Sequence, residues 1–141
     1  MEKYITNDDY LKAKGINLEV ELQDDDNKSN KVTRFIHEVT DWLTDYVVRV
    51  YACNDINEAF NPNGWDNLPE FRQKFFRMAV IEQIEYILNN GLISVNSGIN
   101  QNLGIVVDYT AVELSHNAYN KLFLGAFCNI RKGRTCQGKR P

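Results

Sequence analysis

The stretch SNKVTRFIHEVTDWLTDYVVRVY, residues 29–51, carries the clearest structural signal in the chain. Its apolar residues recur at spacings of three and four, which is the period of one face of an α-helix. They are Val32, Phe35, Ile36, Val39, Leu43, Tyr46, Val47 and Val50. At ~1.5 Å per residue such a helix is roughly 35 Å long, comparable to the width of a small domain. The acidic run Asp24, Asp25 and Asp26 lies just before it, where the positive end of the helix dipole favours negative charge.

A second long helix is predicted from about Leu68 to Asn89, after a polar loop over residues 52–67. Asn67 is the expected N-cap, and Pro69 fits the first turn because first-turn amides lack helical partners. The apolar residues cover more than one face, so this helix should be central to the core or shared with a neighbouring subunit. The residues expected on that core or inter-subunit surface are Phe71, Phe75, Phe76, Val80 and Ile84.

Shorter elements are predicted before and between the two long helices. Thr6–Lys14 should be a helix that Thr6 caps and Gly15 ends. Ile16–Leu22 alternates apolar and polar residues, which alone indicates a strand, but we favour an extended arm lying on the next helix. In the polar loop, Phe60 and Trp65 are the expected aromatic anchors.

A β-hairpin and a last helix are predicted after the second long helix. Leu92–Val95 and Ile105–Tyr109 should be its strands, and the uncharged stretch Asn96–Gly104 should be an unusually long tip. The last helix is expected over Ala111–Phe127. The predicted fold class is thus mainly α: a small helical bundle with two long antiparallel helices, a short hairpin before the last helix, and an extended basic C-terminal arm. One helical domain (1–130, hairpin at about 92–109) and a flexible arm (131–141) are expected, as 141 residues leave little room for a second core.

Charge is distributed unevenly along the chain. The net charge is −3, but the segment 131–141, RKGRTCQGKRP, holds five basic residues and no acidic one. The rest of the chain therefore holds eleven basic and nineteen acidic residues, a net charge of −8. An acidic body does not favour DNA binding, which depends on phosphate neutralisation. The basic segment could be a solvated end, a docking arm for an acidic partner, or a nucleic-acid contact.

The cysteines and the apolar runs bear on the compartment. Cys53, Cys128 and Cys136 are odd in number and form no CxxC pair. No apolar stretch follows the charged start of the chain, and no run approaches the ~18 apolar residues of a membrane span. We therefore expect reduced thiols, synthesis in the cytoplasm and no membrane association.

Residue types that commonly bind metals or catalyse reactions are present, but not at the spacings that metal sites or active sites require. His37 and His116 lie on different predicted helices, and no Cys or His pair has the short spacing of a zinc site. The acidic run at Asp24 lacks the glycine of a calcium loop. Glu82 and Glu85 are expected to face solvent or to meet a basic residue across an interface. We therefore expect no catalytic residue, cofactor or metal, and a protein that is not an enzyme.

The order of elements resembles the head-tail connector (adaptor) family of tailed bacteriophages. The resemblance covers about residues 3–133 and is carried by four stretches: YITNDDYLKAKGI (4–16), RFIHEVTDWLTDYV (34–47), EFRQKFFRMAVIEQIEYILNNG (70–91) and SHNAYNKLFLGAFCNIR (115–131). It implies a structural virion protein that assembles as a homo-oligomeric ring, commonly twelve-fold, under the portal protein. Such a ring joins the DNA-filled capsid to a downstream neck, stopper or tail-completion protein. Genomic DNA passes through its channel without sequence-specific binding.

The resemblance also assigns parts of this chain to partners. It places the portal contact on the arm residues Ile130, Arg131, Lys132, Arg134, Lys139 and Arg140. It links the hairpin tip to the channel or to a neighbouring subunit, through Asn96, Ser97, Gly98, Asn100, Gln101 and Asn102. The alternative from a different class is a cytoplasmic helical regulator that binds nucleic acid through the basic segment, with strong salt dependence.

Overall fold

The computed structural model describes residues 1–24, 30–95 and 105–128, and within them the fold is mainly helical. The helices are α1 (Asn7–Lys14), α2 (Leu18–Glu21), α3 (Lys31–Tyr51), α4 (Gly64–Asn67), α5 (Glu70–Asn89) and α6 (His116–Leu124). The strands β1 (Ile93–Val95) and β2 (Ile105–Val107) form an antiparallel pair between α5 and α6. The predicted fold class is confirmed for these residues. The hairpin tip and the basic arm lie outside them. Within the described parts of the chain, no helix has the length and apolar character needed to cross a lipid bilayer.

The first helix is capped as predicted. Thr6 Oγ1 accepts a hydrogen bond from the Asp9 amide at 3.2 Å, and Asp9 Oδ2 accepts one from the Thr6 amide at 2.9 Å. Gly15 ends the helix in the left-handed region at φ 72°, which glycine adopts without steric cost. Asp9 also pairs with Arg77 of α5 at 2.9 Å, so the cap joins α1 to the second long helix.

Residues 16–22 are neither a strand nor an extended arm, so both interpretations of their alternation are wrong. They contain the short helix α2, where Asn17 caps the Glu19 amide at 3.0 Å. Leu18 and Leu22 are fully buried, whereas Val20 between them is 69% exposed. Positions two apart share a face in a strand, whereas positions four apart share a face in a helix, so burial of Leu18 and Leu22 without Val20 fits a helix and not a strand.

The long helix α3 is confirmed, and its start is stabilised from outside the helix. Asn30 precedes it in the left-handed region and makes no side-chain cap. The buried Asp24 carboxylate instead accepts a hydrogen bond from the Val32 amide at 3.3 Å. A negative group at this position satisfies a first-turn amide and suits the helix dipole, as expected for Asp24.

The loop between the long helices differs from its prediction in two places. Trp65 is a buried anchor as expected, and its indole Nε1 donates to the Met1 carbonyl at 2.7 Å. Phe60 is 74% exposed, so the prediction that it anchors the loop is wrong. Asn67 is the last residue of α4 and does not cap α5, because Pro69 occupies the N-cap position in an extended conformation.

The two long helices run antiparallel, and α5 lies between α3 and α6. Arg72 at the start of α5 contacts Cys53 just beyond the end of α3. After α5 the chain returns to the first half of α3, where the Tyr109 hydroxyl donates to Glu38 at 3.0 Å. Packing on both sides by α3 and α6 explains why α5 is apolar around so much of its circumference.

The last helix is shorter than predicted because a buried glutamine holds the preceding residues out of it. Gln83 on α5 is fully buried, accepts from the Ser115 amide and donates to the Glu113 carbonyl, both at 2.9 Å. Ser115 then caps α6 by accepting from the Ala118 amide at 3.3 Å. These bonds fix residues 113–115 in an irregular conformation, so the helix begins at His116 rather than at Ala111.

Candidate interaction surfaces

The structure separates the residues that sequence reasoning assigned to an inter-subunit or core surface on α5. Phe76, Val80 and Ile84 are fully buried inside the chain, so they are core residues and cannot contact a neighbour. Phe75 is half-buried, and Phe71 is 50% exposed. Of the two alternatives predicted for α5, the central position in the core therefore holds for Phe76, Val80 and Ile84, since α3 and α6 pack on this helix.

The exposed Phe71 lies at one end of the molecule, beside a cluster organised by Arg72. The Arg72 guanidinium donates from Nε to the Gly125 carbonyl at 2.9 Å and from Nη2 to the Ala126 carbonyl at 3.2 Å. It also pairs with Asp55 at 2.9 Å, and its Cζ lies 4.6 Å from the centroid of the Phe127 ring. One side chain thus joins the start of α5 to the residues that follow α6.

Close packing at Gly125 brings the same two helices together. A Cβ at this position would lie 2.9 Å from Cβ of Phe75 and 3.0 Å from the Phe127 ring. Real Cβ atoms do not approach carbon that closely, so only glycine fits against α5 here. Phe127 is fully buried, and its ring packs against Phe76 with 5.3 Å between centroids.

This anchoring leaves three large apolar side chains exposed at the joined ends of α5 and α6. Phe71 precedes Arg72, and Phe123 and Leu124 precede Gly125. Their exposed fractions are 50%, 51% and 53%. We call these three residues the terminal apolar surface. Each lies within two residues of the Arg72–Gly125 hydrogen bond, and exposed apolar side chains grouped at one end of a protein commonly mark contacts with other proteins.

A second surface of distinct character lies along α3. Glu38, Asp41, Trp42, Asp45 and Tyr46 recur at spacings of three and one, so they form a stripe on one face of the helix. The three carboxylates are exposed, and the two rings are half-buried. Tyr4 and Tyr109 flank the stripe from other parts of the chain. We call these seven residues the acidic–aromatic track.

Both flanking tyrosines bind carboxylates of the track. The Tyr4 hydroxyl donates to Asp41 at 2.8 Å, and the Tyr109 hydroxyl donates to Glu38 at 3.0 Å. Burial, followed by the hydrogen bond to Asp41, raises the pKa of Tyr4 to about 12. Burial and the neighbouring Glu38 likewise raise the pKa of Tyr109. Both hydroxyls are therefore protonated donors at neutral pH, and they hold the carboxylates in place. An open cleft of about 410 Å³ lies among Glu38, Asp41, Trp42 and Tyr109.

Aromatic rings extend the track toward the end of the described chain. Ring centroids are 5.3 Å apart between Trp42 and Tyr46, 5.7 Å between Tyr46 and Tyr51, and 6.5 Å between Tyr51 and Tyr119. The Cys128 thiol lies 4.0 Å from the Tyr119 carbonyl. The track therefore leads back to the point from which the chain continues into residues 129–141.

Other candidate residues have structural roles. His37 is exposed, and its ring lies 3.9 Å from that of Tyr4. Glu82 and Glu85 meet Lys14 of α1 at 3.0 and 3.2 Å, so they pair within the chain. Burial opposes the charge of Lys14, but the two glutamates outweigh it and raise its pKa. The part of the chain described by the structure contains no group of three or more His, Cys, Asp or Glu residues that could hold a metal ion.

Sequence reasoning missed the acidic–aromatic track, and of the terminal apolar surface it named Phe71 alone. The arm residues 130–140 and the tip residues 96–102, which it did single out, lie outside the described residues. The acidic–aromatic track could have been detected from the helical spacing of its acidic and aromatic residues, which lie beside the apolar stripe of α3. The Arg72 cluster had no such signal, because its partners follow α6 more than fifty residues later. Comparison of the chain with protein-family models, curated proteins and solved structures finds no match in any of the three.

Proposed function

We propose that this protein is a structural assembly subunit, a head-tail adaptor that forms a ring under a phage portal and joins the capsid to the neck of the tail. The observation that carries the proposal is the terminal apolar surface. Three large apolar side chains stay half-exposed at one end, while the other large apolar side chains of α5 are buried or half-buried within the chain. Ring neighbours or the portal would bury Phe71, Phe123 and Leu124.

The position of the basic segment 131–141 in the chain supports the same proposal. The segment 131–141 begins three residues after Cys128, and Cys128 follows directly on the Arg72 cluster. A partner that bound the terminal apolar surface would therefore have the basic residues within a few residues of the contact. Apolar burial and charge pairing would then act at one end of the subunit.

The negative charge of the chain outside residues 131–141 is compatible with a channel through which DNA passes. Without residues 131–141 the chain has a net charge of −8, and α3 presents exposed carboxylates at Glu38, Asp41 and Asp45. Copies of such a body around a channel would repel phosphate, so DNA could slide without being held. In this proposal the protein functions in the neck of the virion after synthesis in the host cytoplasm.

Co-sedimentation with the portal protein from the same genome tests the proposal. The whole chain should sediment with portal rings, and deletion of residues 131–141 should abolish this while leaving the helical circular dichroism unchanged. Phe71→Ser combined with Leu124→Ser should weaken portal binding or ring formation at least tenfold, because an apolar contact of two half-exposed side chains is lost.

A matched variant separates this surface from general apolar exposure. Val20→Ser combined with Val106→Ser removes two other exposed apolar side chains and should leave binding unchanged. Equal loss in both double variants, or full portal binding by the chain without residues 131–141, would contradict the proposal. Salt-sensitive DNA binding that disappears when Arg131, Lys132 and Arg134 are neutralised would favour the nucleic-acid regulator instead.

A further inference from the structure

The acidic–aromatic track has the chemistry of a site for basic side chains. Glu38 and Asp41 each accept one tyrosine hydroxyl, which uses only one of the ~four acceptor positions of a carboxylate. Lysine and arginine side chains bind carboxylates by charge-assisted hydrogen bonds, and they also stack on tryptophan and tyrosine rings. The cleft beside Trp42, about 410 Å³ in volume, provides both kinds of partner at once.

The chain itself contains a segment of matching charge. Residues 131–141 carry five basic groups and no acidic group. The track carries three carboxylates, and one of these, Asp45, already meets Arg49 at 3.2 Å on the exposed face of α3. Two carboxylates, Glu38 and Asp41, therefore remain to receive incoming cations, and both border the cleft.

The segment begins close enough to reach the track. The Cys128 thiol lies beside the Tyr119 carbonyl, and the ring of Tyr119 neighbours that of Tyr51. From Tyr51 back to Trp42 the distance along α3 is ~14 Å at ~1.5 Å per residue. Six extended residues, from Cys128 to Arg134, span roughly 20 Å. Arg134 and the basic residues after it can therefore reach the cleft.

We propose that the acidic–aromatic track on α3 is the binding site of the basic segment 131–141 of the same chain. Arg134, Lys139 or Arg140 would occupy the cleft among Glu38, Asp41, Trp42 and Tyr109. Binding within one chain is favoured over binding to a second copy because a short tether gives a local concentration in the millimolar range. The proposal concerns the isolated protein and does not depend on the adaptor function. If the segment also binds a portal, the two sites compete for it.

Paramagnetic broadening in solution tests this contact directly. Cys53 and Cys128 are buried, and burial raises the pKa of both thiols, so a nitroxide reagent at low excess should modify Cys136. A Cys136→Ser chain treated in the same way reports any labelling of the buried thiols. In the ¹⁵N-labelled full-length chain, amides of residues 38–46 and of Tyr109 should be broadened, and ascorbate reduction of the nitroxide should restore them.

Charge variants of the full chain provide the specificity test. Glu38→Gln with Asp41→Asn should reduce the broadening on α3 at least twofold, since both side chains still accept the tyrosine hydroxyls but lose their charge. Glu21→Gln with Asp66→Asn changes the net charge equally at exposed positions off the track and should have no effect. Raising the salt from 0.05 to 0.5 M should act like the track variant, because exposed charges are screened.

Two results would overturn the proposal. Broadening that is absent from α3, or unchanged in the Glu38→Gln/Asp41→Asn chain, would show that the segment does not bind the track. In a mixture of ¹⁵N-labelled Cys136→Ser chain with unlabelled spin-labelled chain, we expect no broadening on α3. Equal broadening in that mixture would identify a second copy as the occupant.

Discussion

Arg72 is expected to be the most sensitive charged residue in the described chain, because a single guanidinium joins α5 to the residues after α6. In Arg72→Met the apolar stem can persist, but the bonds to Gly125 and Ala126 are lost together with the contact to the Phe127 ring. The pair with Asp55 contributes little, since the Asp55 side chain is 68% exposed.

The size of the effect follows from these contacts. A charged donor to the partly buried Gly125 carbonyl contributes ~1.5 kcal/mol, and the more exposed bond to Ala126 contributes less. The cation–π contact adds about 1 kcal/mol, and the ion pair adds at most about 0.5 kcal/mol. We therefore expect Arg72→Met to lower the free energy of unfolding by about 3 kcal/mol, which for a chain of this size lowers Tm by about 10 °C.

Two further variants sharpen this expectation. Arg72→Lys keeps the charge but loses the planar guanidinium, which donates to two carbonyls at once. It should therefore lower the free energy of unfolding by about 2 kcal/mol. Arg49→Met removes an exposed pair on α3 and should cost less than about 0.5 kcal/mol. Urea unfolding followed by circular dichroism measures all three. An Arg72→Met chain within about 1 kcal/mol of the original, or an Arg72→Lys chain equal to it, would refute the role assigned to this residue.

Three other perturbations test the structure at separate places. Gln83→Leu should cost about 2–4 kcal/mol in urea unfolding, because the Ser115 amide and Glu113 carbonyl lose their buried partner, and a cost below about 1 kcal/mol would contradict this. Asp9 has a lowered pKa: burial opposes the shift, but hydrogen bonds from the Thr6 amide and Arg77 outweigh it. Its contribution to the free energy of unfolding is therefore present above pH ~4 and is lost as the pH falls through the folded pKa. The free energy of unfolding measured below pH ~4 should therefore change less with pH in Asp9→Asn than in the original chain. Burial raises the pKa of the Cys128 thiol to about 11, so at pH 8 its reaction with a disulfide reagent, followed by mass spectrometry, should be at least tenfold slower than in the urea-unfolded chain; equal rates would show that the site is open.

The two long helices could be predicted because their signals are local and repeated. The stripe from Val32 to Val50 has the helical period for several turns, and six of its eight residues are buried, whereas Tyr46 is half-buried and Val50 is 47% exposed. The cap at Thr6 and the stop at Gly15 were also readable, since each depends on a residue type at a known position. Strand pairing around 93–107 followed from two short apolar runs separated by polar residues.

The errors occur where distant residues decide the outcome. Residues 16–22 alternate like a strand, but Asn7 accepts a hydrogen bond from the Leu18 amide at 2.9 Å and helps to start a helix there. The start of α6 is set by Gln83, thirty residues earlier in the chain. The sequence left open whether the chain itself or a neighbouring subunit covers α5, because the positions of α3 and α6 on this helix depend on distant residues.

Electron microscopy of the protein mixed with the portal ring from the same genome tests the adaptor proposal most directly. We expect an added ring of density below the portal, with the ends of α5 and α6 that carry Phe71 and Leu124 at a subunit or portal contact. Bare portal rings at saturating concentrations of folded protein would contradict the proposal, as would an added ring in which these side chains face open solvent.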